Sequence, residues 1–251
     1  MEQREILVRS SMDGTMQPSL FYRAEGKEKR PLLVGLHTWS TDRSNQIRNM
    51  LPYAQRHNFH LLLPEFRGPN HVINPNCTLA CGSDYAKQDI IDAIEYCTAE
   101  GCVDTDNVFL LGASGGGHMA MLMAGFRPDR FKAIAAFVGI TDLSRWSEEN
   151  MQYRSHILAC CSNDEEQMHK RSPMTYLDTI ATANIKLFHG KYDPSVPVSH
   201  SIRLFNAINE KYPRASVYLD IFDGGHEMDM EIAMSWILSQ YKKTQKEAVT
   251  G

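Results

Sequence analysis

The sequence predicts an α/β domain built on a mainly parallel sheet with helices on both faces, and three observations predict it. Short apolar runs alternate with longer amphipathic stretches along most of the chain. Several runs, such as PLLV at 31–34 and VFLL at 108–111, are apolar at successive positions, as in strands covered on both faces. Turn residues close them, with Pro64 after the run at 59–63 and Gly112 after 108–111.

The elements follow in order. Residues 4–10 and 19–24 mix polar and apolar positions around the turn Met12-Asp13-Gly14, which reads as an antiparallel hairpin at the sheet edge. A buried strand over 31–37 comes next, then a helix over 44–57 with Ile47, Met50, Leu51 and Ala54 at helical spacing. After the strand at 59–63, a helix over 84–100 carries the stripe Ile90, Ile91, Ala93, Ile94 and Cys97. Strand 108–111 runs into a helix of small residues over 116–125, followed by strand 133–138. Strand 185–189, helix 199–211, strand 216–222 and helix 227–241 complete the order. Residues of about 141–180 break the rhythm. They are polar, show weak helical patterning and contain Trp146, Met151, Tyr153 and Met168. A stretch of about 40 residues is long for a simple connection, so it reads as a cap-like insertion over the sheet edge within one domain spanning 1–251.

Composition narrows the class. The 251 residues are 43% hydrophobic and 22% charged, with a net charge of -4, so the chain can bury a core and offers no polyanion-binding surface. Nucleic acid and anionic membranes are poor partners. The N-terminus MEQREILVRSSMDG lacks the apolar core of a secretory signal, and no run reaches the roughly 18 residues of a membrane span. The expectation is a cytoplasmic protein; its oligomeric state is open. Cys77/Cys81, Cys97/Cys102 and Cys160/Cys161 do not form paired CxxC sets, so no metal is expected. Reduced thiols are the default, with a local Cys77–Cys81 disulfide as the lesser alternative.

The chemistry concentrates at Gly112-Ala113-Ser114-Gly115-Gly116, between a strand and a helix. A serine hydroxyl attacks a carbonyl only when a base takes its proton, and the G-x-S-x-G turn lifts that hydroxyl clear of the backbone. An acid and a histidine should follow in that chain order. Asp193 lies in the loop beyond strand 185–189, and His226 in the glycine-rich loop Asp223-Gly224-Gly225-His226 after the next strand. All three candidates sit at the carboxyl edge of the sheet, where open α/β sheets build sites. Asp223 is the rival acid, disfavoured by its closeness to His226 in one loop. The Gly115 N–H is one candidate oxyanion donor, and the loop His37-Thr38-Trp39-Ser40 supplies the second from Thr38 or Trp39. His37 and His118 read as structural and Arg67 as a loop brace. Trp146 and Tyr153 are candidates to line a substrate pocket. GASGGG lacks the Lys-Ser/Thr of a phosphate loop and the dinucleotide spacing, so no cofactor follows.

The chain resembles the catalytic domain of the prolyl-oligopeptidase-like α/β-hydrolases. The stretches that carry this are FRG at 66–68, Gly82-Ser83 before the Asp89 helix, GASGGGHMA at 112–120, RSP at 171–173, HGKYDPSVPV at 189–198 and GGH at 224–226. The resemblance implies the α/β-hydrolase fold and a Ser114, Asp193, His226 triad. Two departures bear on substrate. The length leaves no room for the propeller of long members, and the oxyanion loop reads HTWS where the family has an HGG-type form. The resulting expectation is hydrolysis of a small carboxylic ester through an acyl-enzyme. An exopeptidase or acylaminoacyl-peptidase acting on a short peptide is the alternative; it would need acids among Glu148, Glu149, Asp164, Glu165 and Glu166 to hold an amino terminus, whereas those carboxylates read first as a solvated cap surface. A non-catalytic binding protein on a hydrolase scaffold is the alternative of another class.

Overall fold

In the computed structural model, which describes residues 1–250, eight strands form one sheet in the order β1-β2-β4-β3-β5-β6-β7-β8. The strands are β1 (Glu2–Arg9), β2 (Met16–Arg23), β3 (Arg30–Leu36), β4 (His60–Pro64), β5 (Val103–Ala113), β6 (Ala133–Phe137), β7 (Ile185–Gly190) and β8 (Val217–Phe222). β1 pairs antiparallel with β2, and β2 antiparallel with β4; every other pairing is parallel. The hairpin therefore forms the antiparallel edge that the opening residues predict. This is the α/β-hydrolase fold.

Period-two alternation divides the strand side chains between two cores. Val108 and Leu110 of β5, Leu32, Val34 and Leu36 of β3, and Ile134 and Ala136 of β6 face one layer. There they meet α2 (Asp84–Ala99), α3 (Gly115–Phe126) and α8 (Ser199–Lys211). Phe109, Leu111, Leu33, Ala135 and Phe137 face the other layer, against α1 (Ile47–His57) and α9 (Met230–Thr250). α3 has no polar face because residues 115–125 are all buried, and its small side chains let it lie close on the sheet.

Between β6 and β7 the chain forms four short helices: α4 (Leu143–Glu149), α5 (Met151–Cys160), α6 (Glu165–Lys170) and α7 (Leu177–Ile180). The side chains of Asp142, Asn150 and Asp164 accept from backbone N–H groups at the starts of α4, α5 and α6. These helices hold a third apolar cluster in which Leu143, Trp146, Ile157, Cys160, Cys161 and Met168 pack against Trp39, Cys81 and Val196. All six cysteines are free, including Cys77 and Cys81. Among the described residues no helix is long and apolar enough to cross a membrane.

Candidate active site

Ser114 occupies the single position between β5 and α3, with φ 57° and ψ -119°. Side-chain-bearing residues rarely adopt this left-handed backbone, and the surroundings hold it there. The Ser114 N–H donates to Phe137 O at 2.9 Å, and the Ser114 carbonyl accepts from His118 N–H at 2.8 Å. Gly112 lets strand and helix meet at this elbow: a Cβ there would lie 2.2 Å from Gly116 O.

The loops after β7 and β8 bring the partners. His226 Nε2 lies 2.9 Å from Ser114 Oγ, and His226 Nδ1 lies 2.8 Å from Asp193 Oδ2. The other carboxylate oxygen, Asp193 Oδ1, accepts the Ser195 and Val196 N–H groups at 2.8 and 2.9 Å. Burial alone would push the Asp193 carboxyl upward, but the facing His189 and His226 rings and the Val196 N–H outweigh it. They hold the group well below the usual carboxylate range. A carboxylate that stays ionised keeps the proton of a neutral His226 on Nδ1 and the Nε2 lone pair toward the serine. Asp223 is exposed, and among the described residues no hydrogen bond joins it to Ser114 or His226.

The loop after β3 lies directly against the elbow, since a Cβ on Gly115 would fall 2.5 Å from Trp39 N. Of the two candidate donors in this loop, the Thr38 N–H is already held by Asn45 Oδ1 at 3.3 Å. The Trp39 N–H makes no hydrogen bond among the described residues. Gly115 opens α3, where helix geometry leaves the N–H without an intrahelical partner. The Gly115 and Trp39 N–H groups thus stand unengaged beside Ser114.

A cleft of about 390 Å³ opens over Ser114 and His226. One wall is a chain of neutral amides, in which Gln46 Nε2 donates to Asn45 Oδ1 at 2.8 Å and Asn49 Nδ2 donates to Gln46 Oε1 at 3.0 Å. Tyr153 supplies an aromatic surface, and Met228 and Val138 add apolar ones. Trp146, expected beside Tyr153 on the pocket wall, is not there. It is 1% exposed, with its Nε1 donating to Ser195 O at 2.9 Å. It stacks behind Tyr153 at 5.1 Å, because the short helix α4 turns this face into the insertion's own core. Trp146→Ala is expected to cost about 3–5 kcal/mol of stability in denaturant titration. Tyr153→Ala should instead raise KM and spare the melting temperature. A wider groove of about 620 Å³ runs beside this cleft past Arg48, Tyr53 and Asp223, and it does not reach Ser114.

The model of the prolyl oligopeptidase family matches residues 83–244. The chain belongs to the prolyl oligopeptidase family. Within it, the chain is similar to the acylamino-acid-releasing enzyme of Arabidopsis thaliana, at 29% identity over 162 residues, covering 56% of this chain and 21% of that protein. It is also similar to acylamino-acid-releasing enzyme 1 of Oryza sativa subsp. japonica, at 25% identity over 218 residues, covering 79% of this chain and 28% of the other. A solved acylaminoacyl peptidase in complex with Z-Gly-Gly-Phe-chloromethyl ketone superposes with a TM-score of 0.72 at 21% identity. That match covers 90% of this chain and 37% of the solved one. The chain spans about a quarter of the length of these curated relatives. At this coarse level it carries the α/β-hydrolase fold of the prolyl oligopeptidase family.

The remaining candidates in this family member resolve into supports. Arg67 lies buried between Asp89, at 2.5 Å, and Asp13, at 2.7 Å, and so ties the loop after β4 to α2 and to the hairpin turn. His118 places Nε2 2.6 Å from Arg171 O, and burial pushes its pKa down to about 4, so the ring is neutral. His37 stacks on Phe66 with ring centres 3.9 Å apart and faces two backbone carbonyls. None of the five insertion acids lines the cleft. Glu149 pairs with Arg145 and His200, Glu166 with Lys170, and Asp164 caps α6. Sequence reasoning missed the amide wall. Asn45, Gln46 and Asn49 carry no motif, and the usable signal was their place just after a strand's carboxyl end.

Proposed function

We propose that the chain hydrolyses small acyl compounds through an acyl-enzyme on Ser114. His226 takes the hydroxyl proton as Oγ attacks the carbonyl, then gives it to the leaving group. Asp193 holds the imidazole in the required tautomer and stabilises the imidazolium. The Gly115 and Trp39 N–H groups receive the negative charge on the tetrahedral oxygen, and water repeats the sequence to release the acid. The observation that carries this reading is the continuous relay from Asp193 through His226 to Ser114 Oγ at a cleft floor. The same continuity speaks against a non-catalytic scaffold. We read residues 1–251 as one domain, with about 141–180 capping the cleft through Tyr153.

We infer a short substrate without charge at its acyl end. The amide wall offers donors and acceptors but no ionic partner, and Glu227, the carboxylate that reaches the cleft, faces its own loop at Gly225 N–H. The names of the acylamino-acid-releasing relatives point the same way, toward amino-blocked peptides. This favours the acylaminoacyl-peptidase reading over the simple ester that the sequence suggested, although reactive esters of the same acyl groups fit the same machinery. A panel of N-acetylated aminoacyl p-nitroanilides, free aminoacyl p-nitroanilides, graded p-nitrophenyl esters and acetylated sugars tests it. The blocked amides and the esters should turn over, and Ser114→Ala should abolish both. Preference for free aminoacyl substrates would contradict the reading.

A further inference from the structure

The Trp39 donor is a peptide N–H, and such a group cannot be aimed independently of the carbonyl in its own planar unit. In the trans peptide joining Thr38 to Trp39, the Thr38 C=O and the Trp39 N–H point in opposite directions. Whatever holds that carbonyl therefore sets where the N–H points. Thr41 Oγ1 donates to Thr38 O at 3.3 Å. With that proton committed, the Thr38 hydroxyl donates to Thr41 Oγ1 at 3.0 Å, so the two side chains lock together. Asn45 Oδ1 fixes the preceding peptide through the Thr38 N–H.

His37 also approaches the Thr38 carbonyl, with Nδ1 at 2.9 Å, but its Nε2 lies 2.8 Å from Glu65 O. A neutral imidazole has one N–H for these two carbonyl oxygens. Burial drives this ring toward its neutral form, so its proton is divided between two claims. The Thr41 hydroxyl is freed for the Thr38 carbonyl when Thr38 Oγ1, which carries a proton of its own, takes the donor role between the two hydroxyls.

Resting on the acyl-enzyme reading above, we propose that Thr41 is a positioning residue whose hydroxyl holds the Thr38–Trp39 peptide with the Trp39 N–H facing the Ser114 cleft. The bond is long, so its loss misaims the donor and does not delete it. The effect is accordingly smaller than the hundredfold or more that follows removal of an oxyanion donor.

The test compares Thr41→Val, which keeps the shape and loses the donor, with Thr41→Ser, which keeps the donor, in the full chain. With p-nitrophenyl acetate, Thr41→Val should lower kcat about tenfold and leave KM within about twofold. Its inhibition constant for a trifluoromethyl ketone, which forms a tetrahedral adduct on the serine, should rise by the same factor as kcat falls. Thr41→Ser should recover most of both. Wild-type kcat in Thr41→Val, a change confined to KM, or a serine variant as defective as the valine one would each overturn the role of Thr41. Should the valine variant melt below the assay temperature, Thr41→Ala against Thr41→Ser makes the same comparison, and the same results support or overturn the role. Turnover that survives Ser114→Ala in the same preparation would instead remove the underlying reading.

Discussion

Replacing His226 with alanine is expected to lower kcat by roughly 10⁶-fold, with KM changed little. The magnitude follows from the relay geometry. With Nε2 gone from its place 2.9 Å from Ser114 Oγ, no other side chain among the described residues is hydrogen-bonded to the hydroxyl, and Glu227 at the cleft faces the Gly225 N–H. His118, one turn along α3, has its Nε2 engaged by Arg171 O, and His37 faces Thr38 and Glu65. Neither can substitute. Single-turnover kinetics with p-nitrophenyl acetate check this, and the folded state can be confirmed by an unchanged melting curve. A fall of only tenfold would mean that another group deprotonates the serine.

The second large effect is expected from Asp193→Asn, a fall of about 10⁴-fold in kcat at neutral pH. Asp193 Oδ1 accepts two backbone N–H groups, from Ser195 and Val196. An asparagine must keep its carbonyl oxygen there to avoid opposing N–H against N–H. Its NH₂ then faces His226 Nδ1 and forces that nitrogen to accept. The ring proton moves to Nε2, where it points at the serine hydroxyl in place of the lone pair that should receive a proton. The substitution is almost isosteric, so the melting temperature should change far less than activity does. Rapid-quench measurement of acylation, with the imidazole proton followed by NMR, distinguishes this tautomer switch from simple unfolding.

How much of the fold and site is legible in the sequence follows from how each element signals itself. The strands and long helices are readable because burial on both faces writes unbroken apolar runs, and a half-buried helix repeats every three to four residues. The proposed triad is readable because the strained turn at Ser114 restricts its neighbours to small residues, and the chain order of the partners follows from the strand order. β5 is legible only over 108–111, because its first half is polar and partly exposed at positions 104–106. The separate helices of the insertion leave no such signal. α4, α6 and α7 run for 7, 6 and 4 residues, too few turns for a periodic stripe to emerge. Their acids, which suggest a solvated surface or an amino-terminus site, include the caps and ion pairs that hold those turns. Trp146 falls on the opposite side of that layer from the one expected for the same reason, because residue type alone does not say which face of a short helix turns inward. The choice between Thr38 and Trp39 depends on the Asn45 contact, and a side chain seven residues away leaves no trace in local pattern.

Activation of Ser114 by His226 underlies every step of the proposed hydrolysis. Incubation with a fluorophosphonate probe, followed by peptide mass mapping, tests it most directly. A single adduct is expected on the peptide carrying Ser114, absent from Ser114→Ala and nearly absent from His226→Ala. Equal labelling of the Ser114→Ala protein, or an adduct mapped to a different serine, would contradict it.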